Sequence, residues 1–176
     1  ANGGFNNVTM VELGAAFTPY ITQYGEYYRI FTSMFMHFGI EHLISNMLAL
    51  MVLGEALERY VGKIRFLIIY LLSGIIGGIV SVASYALRNR MVVSAGASGA
   101  VFGVLGAILV ITIFGHIRSG EVRIEPRRLI MFALLSILSG FNDTGIDNYA
   151  HIGGLVSGII IALIMVLITD RYKSAK

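Results

Sequence analysis

The sequence has no cysteine and few charged residues, and both absences restrict what the chain can be. Without cysteine, disulfides and thiolate metal sites are excluded, and no His-Glu-x-x-His pattern is present to hold zinc. Charged residues make up 13% of the 176 residues, whereas hydrophobic residues make up 56%, and the mean hydropathy is +0.79. This composition is typical of an integral membrane protein, and the length suits one helical bundle.

Five apolar stretches predict the helices of that bundle, since lipid leaves unpaired backbone groups unsatisfied. They cover residues 42–61, 66–87, 98–114, 129–141 and 150–169. The second and fifth are long enough to span a bilayer, whereas the fourth is short and suits a partly inserted or strongly tilted helix. Residues 1–41 are mixed in polarity and rich in tyrosine near Arg29, which predicts an interfacial segment rather than a span.

Basic residues lie mostly on one side of the predicted membrane. Arg29, Arg88 and Arg90 lie on one side, whereas ten of the 13 lysines and arginines lie on the other. By the positive-inside rule the larger group faces the cytoplasm, so the net charge of +3 reports membrane orientation rather than nucleic-acid binding. The larger group comprises Arg59, Lys63, Arg65, Arg118, Arg123, Arg127, Arg128, Arg171, Lys173 and Lys176.

This orientation puts the start of the chain outside the cytoplasm and its end inside, as an odd number of spans requires. The chain begins at Ala1 without an initiator methionine, a signal peptide or a leading hydrophobic run. We therefore expect an upstream segment, another transmembrane helix, to precede it.

Four polar side chains are predicted to lie at one face of the membrane. The first, third and fifth stretches all enter from the non-cytoplasmic side, where His42 and Asn46 open the first, Ser98 the third and His151 the fifth. His42 and Asn46 are four residues apart, so they share one face of their helix. Ionisable and polar groups are costly inside a bilayer, and their convergence indicates a functional site.

Glycine pairs follow two of these residues. Ser98 is followed by a Gly-x-x-x-Gly pair that begins at Gly99, and His151 by one that begins at Gly154. Small residues at this spacing let two helix backbones approach closely. If the two faces meet, the serine hydroxyl and the imidazole come within hydrogen-bond reach.

A serine and a histidine placed in this way predict a protease dyad inside the bilayer. His151 would take the Ser98 proton, and the alkoxide would attack a peptide carbonyl to give an acyl-enzyme that water hydrolyses. His42, Asn46 and the Ser98 backbone N–H are the candidates to stabilise the oxyanion. Asp147 lies one turn before His151 and could orient it, but a helix-start or loop role is expected for an aspartate there. No metal or cofactor is expected.

The motifs taken together closely resemble the rhomboid family of intramembrane serine proteases. The matching segments, in the family's order, are Tyr28-Arg29, HFGIEHLISN at 37–46, GEALER at 54–59, GASG at 96–99 and AHIGG at 150–154. The resemblance implies an all-α integral membrane protein with a rhomboid-like helical bundle, a six-helix core whose first helix is absent from this chain. The five remaining spans would carry a Ser98–His151 dyad, with His42, Asn46 and the Ser98 N–H around the oxyanion.

The resemblance also implies roles for other parts of the chain. Phe102 matches a position where some relatives carry a tyrosine packed on the histidine ring, so phenylalanine keeps the ring and loses the hydroxyl. The short helix at 129–141 and the loop at 142–148 would be a movable gate and cap. The expected organisation is an interfacial first loop (1–41), a transmembrane catalytic bundle (42–170) and a cytoplasmic tail (171–176).

The implied activity is that of a serine endopeptidase that cleaves transmembrane or juxtamembrane segments of other membrane proteins. Its partners would be substrates with a transmembrane helix and the lipid bilayer, with no nucleic acid. We expect a multi-pass protein of a bacterial cell membrane, with its active site open to the non-cytoplasmic side.

Two other functions are compatible with a membrane bundle. A catalytically silent relative would bind membrane-protein clients without cutting them, but such relatives usually lack the serine or the histidine, and this chain has both. A small-molecule transporter would be expected to have broken-helix repeats and polar groups on the cytoplasmic side of the same helices, and neither is evident. Glu55 and Glu58 are expected to reach the cytoplasmic interface or to pair with Arg59.

Overall fold

The N-terminal part of the chain folds into short elements. In the computed structural model, which describes residues 4–114, 125–142 and 145–174, this part contains α1 (Asn7–Leu13), α2 (Thr18–Tyr24), α3 (Tyr28–Thr32) and a 3-10 helix at Ser33–Phe35. Gly14 and Gly25 end α1 and α2 with φ of 110° and 74°, a left-handed conformation that suits glycine. Among residues 4–39, which the structure describes, the longest helices have seven residues, and a helix of that length cannot cross a bilayer.

Arg29 ties these short elements together. Its buried guanidinium donates from Nε to Glu26 at 2.5 Å, and from Nη1 to the carbonyls of Val11 at 2.6 Å and Ala15 at 3.1 Å. The hydrogen bond from Arg29 is the main cause that lowers the pKa of the Glu26 carboxyl. The Tyr28-Arg29 pair found in the sequence thus has a structural role in the first loop.

Five longer helices follow the first loop, as predicted. They are α4 (Ile40–Val61), α5 (Lys63–Ala86), α6 (Ser98–Phe114), α7 (Pro126–Asn142) and α8 (Asn148–Ser174). By length and composition α4, α5 and the Asn148–Ile168 part of α8 could each cross a membrane, and α6 is a shorter apolar helix of 17 residues. Helix α7, the stretch expected to be short, also has 17 residues.

The boundaries of four helices differ from the apolar stretches. Helix α5 runs over Lys63–Ala86 rather than 66–87, because Gly62 ends α4 and the next helix begins directly after it. Helix α4 begins at Ile40, two residues before the predicted start of the bundle, because Gly39 caps it in an extended conformation. Helix α7 begins at Pro126 rather than 129, since proline fits the first turn of a helix. Helix α8 continues to Ser174, past the predicted end at 169 and the predicted tail boundary at 170, because backbone hydrogen bonding does not stop where hydropathy falls.

Some predicted features lie outside the described residues. These are Arg118 and Arg123 in the third connection, residues 143 and 144 of the predicted cap, and residues 175 and 176 of the predicted tail. The predicted pairing of Glu55 with Arg59 is confirmed by an ion pair between their side chains.

Helix α6 lies at the centre of the bundle and contacts α4, α5, α7 and α8. Twelve of its 17 residues are buried, as expected of a helix that is hydrophobic all round. The outer faces of the surrounding helices expose apolar side chains such as Met51, Leu135 and Ile164, which is the pattern of a surface that faces lipid. Ser98 therefore begins the best-packed helix of the fold.

The predicted glycine contacts between α6 and α8 are present. A Cβ atom at Gly154 would overlap the carbonyl of Gly99, and one at Gly158 would overlap the carbonyl of Gly103. The backbones of the two helices therefore touch along this seam. A two-residue strand, β1 (Ala16–Phe17), pairs antiparallel with β2 (Val93–Ser94) and joins the first loop to the segment that leads into α6.

Candidate active site

Ser98 and His151 are in direct contact. Ser98 is the first residue of α6, and His151 lies in the first turn of α8. Their Oγ and Nε2 atoms are 2.8 Å apart, although 53 positions separate the residues in sequence. In the tautomer with the proton on Nδ1, the hydroxyl donates to Nε2, which is the arrangement a general base needs.

The other nitrogen of the imidazole has no hydrogen bond to an acid among the described residues. His151 Nδ1 is buried and has no hydrogen-bond partner among residues 4–114, 125–142 and 145–174. Instead, the ring of Phe102 stacks on the imidazole, with ring centroids 4.3 Å apart and an interplanar angle of 10°. Phe102 lies one turn after Ser98 on α6, so the helix that carries the serine also fixes the plane of the histidine.

His42 reaches the same place from α4. A Cβ atom at Gly96 would lie 2.8 Å from His42 Cε1, 2.9 Å from its Nε2 and 3.8 Å from Ser98 Oγ. Gly96 has φ of 133°, a conformation that L side chains rarely adopt. The glycine therefore lets the backbone before Ser98 pass directly against the His42 ring. Gly96 thus lines the candidate site, although no role was predicted for it from the sequence.

Asn46 is buried one turn further along α4. Its amide Nδ2 donates to the His42 carbonyl at 2.9 Å, so one of the two amide N–H groups is bonded within the helix. His37 packs edge-on against His42, with centroids 5.1 Å apart. Burial, and to a lesser degree the neighbouring His42, lowers the pKa of His37, a residue that lies before α4.

Asp147 caps α8, as expected for an aspartate at that position. Its Oδ1 accepts from the backbone N–H of Ala150 at 3.1 Å. Its Oδ2 accepts from the hydroxyls of Ser94 at 2.6 Å and Ser81 at 2.5 Å. Neither serine was identified from the sequence, because they lie 53 and 66 positions from Asp147 and no local pattern marks such a contact.

The described residues contain no group of three or more His, Cys, Asp or Glu side chains that could hold a metal ion. The groups that the structure places at this site are a hydroxyl, imidazoles, an amide and the backbone N–H groups at the start of α6.

Comparison with known proteins identifies the family. Residues 24–168 match the family model of the rhomboid domain. The chain belongs to the rhomboid family. As a rhomboid protein with several helices long and apolar enough to cross a membrane, it is a multi-pass integral membrane protein.

Similar rhomboid proteins occur in bacteria, plants and a parasite. The chain is 42% identical over 162 residues to rhomboid protease GluP of Bacillus subtilis (strain 168), and the aligned region covers 92% of this chain and 30% of GluP. It is 32% identical over 169 residues to RHOMBOID-like protein 1 of Arabidopsis thaliana, covering 96% and 42%. It is 30% identical over 156 residues to Rhomboid-like protease 3 of Toxoplasma gondii, covering 88% and 57%. The chain thus spans well under two thirds of the length of these relatives.

Proposed function

We propose that this rhomboid protein is an intramembrane serine endopeptidase that cleaves transmembrane or juxtamembrane segments of other membrane proteins. The observation that carries the proposal is the 2.8 Å contact between Ser98 Oγ and His151 Nε2. Two of the similar proteins are named as proteases, which supports the same reaction class.

In the proposed reaction, Ser98 is the nucleophile and His151 the general base. His151 Nε2 takes the hydroxyl proton while Oγ bonds to the carbonyl carbon of the scissile peptide. The tetrahedral intermediate collapses as His151 gives that proton to the leaving amine, which leaves an acyl ester on Ser98. Water then attacks the ester, with His151 accepting its proton and returning one to Ser98.

A dyad without an acid needs another way to hold the imidazole. The stacked Phe102 ring supplies orientation, and its face also attracts the imidazolium that forms during the reaction. The seam of glycines between α6 and α8 keeps the two helix starts at a fixed distance, which matters because reacting groups tolerate little misplacement.

We assign the oxyanion site to His42, Asn46 and the Ser98 backbone N–H. The Ser98 N–H lies at the start of a helix, where unpaired N–H groups favour a negative charge. The His42 ring lies against Gly96, within the same small volume as Ser98 Oγ. Asn46 carries a second amide N–H besides the one bonded to His42.

We further propose that the site opens to the non-cytoplasmic side of a bacterial cell membrane. The first turns of α4, α6 and α8 carry the site, whereas Lys63 and Arg65 lie at the opposite end of α4, a helix of 22 residues. The excess of basic residues at that opposite end supports a cytoplasmic location for it.

The proposal is tested by cleavage of a panel of single-span membrane proteins in liposomes. The wild-type protein should cleave members of the panel and be labelled at Ser98 by a phosphonate or an isocoumarin. Ser98→Ala and His151→Ala should each reduce turnover to background, and the double variant should be no worse, because dyad members act as a unit.

Ser157→Ala provides a matched control. Ser157 is a buried serine on α8, and its hydroxyl donates to the carbonyls of Gly153 and Gly154 in its own helix. This variant should keep both cleavage and labelling. Substantial turnover by purified Ser98→Ala would rule out the dyad, and a folded wild type that neither cleaves nor labels would favour a silent, client-binding relative.

A further inference from the structure

The carboxylate of Asp147 connects three elements of the fold. Oδ1 accepts from the Ala150 N–H in the first turn of α8. Oδ2 accepts from Ser94 Oγ in β2 at 2.6 Å and from Ser81 Oγ in α5 at 2.5 Å. Hydrogen bonds to an ionised carboxylate are among the strongest that neutral hydroxyls make.

Two of these residues lie close in sequence to the proposed dyad. Ser94 lies four residues before Ser98, and Asp147 lies four residues before His151. One carboxylate therefore joins the segment that delivers the nucleophile to the segment that delivers the base. Ser81, which is buried on α5, ties both to a third helix.

Both catalytic side chains lie in the first turns of their helices, at the end where the glycine seam begins. Ser98 begins α6 and follows a short irregular segment that contains Gly96 at φ 133°. His151 lies in the first turn of α8, and the first N–H groups of a helix lack intrahelical partners. The hydrogen bonds of Asp147 to Ser94 and Ser81, which lie outside the seam, therefore add a second restraint on these two helix starts.

We propose that Asp147 is a positioning residue that sets the distance between Ser98 Oγ and His151 Nε2 by tying Ser94 and Ser81 to the start of α8. It acts on the two backbones rather than on the imidazole, so it differs from the third member of a catalytic triad. This inference rests on the proposed function of Ser98 and His151.

The first test measures cleavage by the full protein in liposomes for Ser94→Ala and Asp147→Asn. Ser94→Ala removes the tie to the nucleophile segment and leaves the cap of α8. Asp147→Asn keeps one oxygen for the Ala150 N–H and loses the charged acceptor. Each should lower kcat by about ten- to a hundredfold with KM changed less than about twofold, since the tie acts on the reacting groups and not on substrate binding.

Two further variants separate positioning from a general effect on stability. The double variant Ser94→Ala/Asp147→Asn should lose no more than the worse single variant, because both changes break the same hydrogen bond. Ser94→Thr keeps the hydroxyl and should recover most of kcat. In the contacts described above, the Ser157 hydroxyl bonds only to carbonyls of its own helix. Ser157→Ala should therefore have the wild-type kcat.

A second readout needs no turnover. The ¹⁵N chemical shift of His151 Nε2 reports its hydrogen bond to Ser98, and Ser98→Ala gives the shift of the broken contact. Ser94→Ala and Asp147→Asn should move the wild-type shift toward that of Ser98→Ala, whereas Ser94→Thr should not.

The outcomes distinguish this inference from the proposed function. An unchanged His151 signal with unchanged kcat in Ser94→Ala and Asp147→Asn overturns the positioning role. So does a loss of kcat that follows the loss of folded protein and is not recovered by Ser94→Thr. A wild type that neither cleaves nor labels, but whose His151 signal responds to Ser94→Ala, overturns the protease and leaves the tie standing.

Discussion

At the scale of single residues, the candidate site combines a hydrogen-bonded pair with a stacked ring. The His151 imidazole is hydrogen-bonded to Ser98 and stacked on Phe102, so α6 supplies both the hydroxyl and the aromatic face. The imidazole is thus held by packing on one side and by the serine on the other. Asp147 is already bonded to Ala150, Ser94 and Ser81, so none of its bonds described here reaches the ring.

Asn46 allows a prediction at this scale. Because an oxyanion donor acts mainly in the transition state, Asn46→Ala should lower kcat by about ten- to a few hundredfold and leave KM nearly unchanged. His42 and the Ser98 N–H remain as donors, so the loss should stay below that of Ser98→Ala. Steady-state kinetics on one transmembrane substrate measures both constants.

The matched comparison is His42→Ala, which removes the neighbouring ring. Asn46 also donates to the His42 carbonyl, so a thermal unfolding curve for each variant is needed beside the kinetics. Unchanged turnover in both variants would leave the oxyanion to backbone groups alone.

The candidate site residues could be proposed from the sequence because polar groups are costly in a membrane. Ser98, His151, His42 and Asn46 each lie near the start of an apolar stretch. Because the first, third and fifth stretches enter from the same side, all four residues are predicted at one face of the membrane. The tie through Ser81 and Ser94 could not be found in this way, because serines are common at helix and strand ends. Its partners meet only after α5, β2 and α8 have packed, over separations of 53 and 66 positions.

At the scale of elements, the close contact between α6 and α8 depends on glycines, which have no side chain to separate the two backbones. We expect Gly158→Ala to be unusually damaging, because the new methyl group would overlap the Gly103 carbonyl, which is backbone and cannot rotate away. The melting temperature and the rate of Ser98 labelling should fall together, since separating the helices also separates the dyad. Thermal unfolding and probe labelling measure the two effects.

Gly99→Ala is the control for stability at the same seam. A Cβ atom at Gly99 meets nothing nearer than the Ala150 carbonyl oxygen at 3.4 Å, an ordinary van der Waals distance. Its melting temperature should therefore stay close to that of the wild type. Equal melting temperatures for Gly158→Ala and Gly99→Ala would show that the two helices do not pack through these glycines.

Helix α7 is held more loosely than α6, which bears on its proposed role as a gate. Along most of its length its apolar side chains are exposed, and Leu129 and Ala133 are its buried apolar residues. One side-chain hydrogen bond described here, from Asn148 Nδ2 to the Ile137 carbonyl at 3.0 Å, fastens it to the start of α8.

Breaking that hydrogen bond should favour the open gate. A hydrogen bond of about 1 kcal/mol corresponds to roughly a fivefold change in an equilibrium. We expect Asn148→Ala to raise kcat/KM for a transmembrane substrate by up to about that factor. Labelling of Ser98 by a small phosphonate should change less, because a small probe needs less movement of α7. Lower cleavage with unchanged labelling would contradict this role for α7.

The ends of the helices do not always coincide with the ends of the apolar stretches. The start of α6 at Ser98 was predicted correctly, since a turn-forming Gly-Ala segment precedes the apolar stretch. Helix α8 continues to Ser174, beyond the apolar residues, because a helix already begun can extend into water with its hydrogen bonds intact. The limits of an apolar stretch therefore do not give the ends of the helix that contains it.

At the scale of the whole molecule, Lys63 and Arg65 lie at the end of the bundle opposite the candidate site. Lys63 and Arg65 follow directly after α4, whereas His42 and Asn46 lie in its first two turns. A helix of 22 residues is about 33 Å long, which matches the thickness of the hydrocarbon core. The orientation of the protein therefore decides which compartment can reach the dyad.

The absence of cysteine makes this orientation directly measurable. Tyr27, Arg90 and Lys63 are exposed, and a single cysteine at each position would be the only thiol in this sequence. In intact cells that express the full protein, Tyr27→Cys and Arg90→Cys should react with a membrane-impermeant maleimide. Lys63→Cys should react only after the membrane is permeabilised, because the positive-inside rule places it in the cytoplasm. The reverse pattern would place the dyad at the cytoplasmic face, and cleavage would then occur on that side of the membrane.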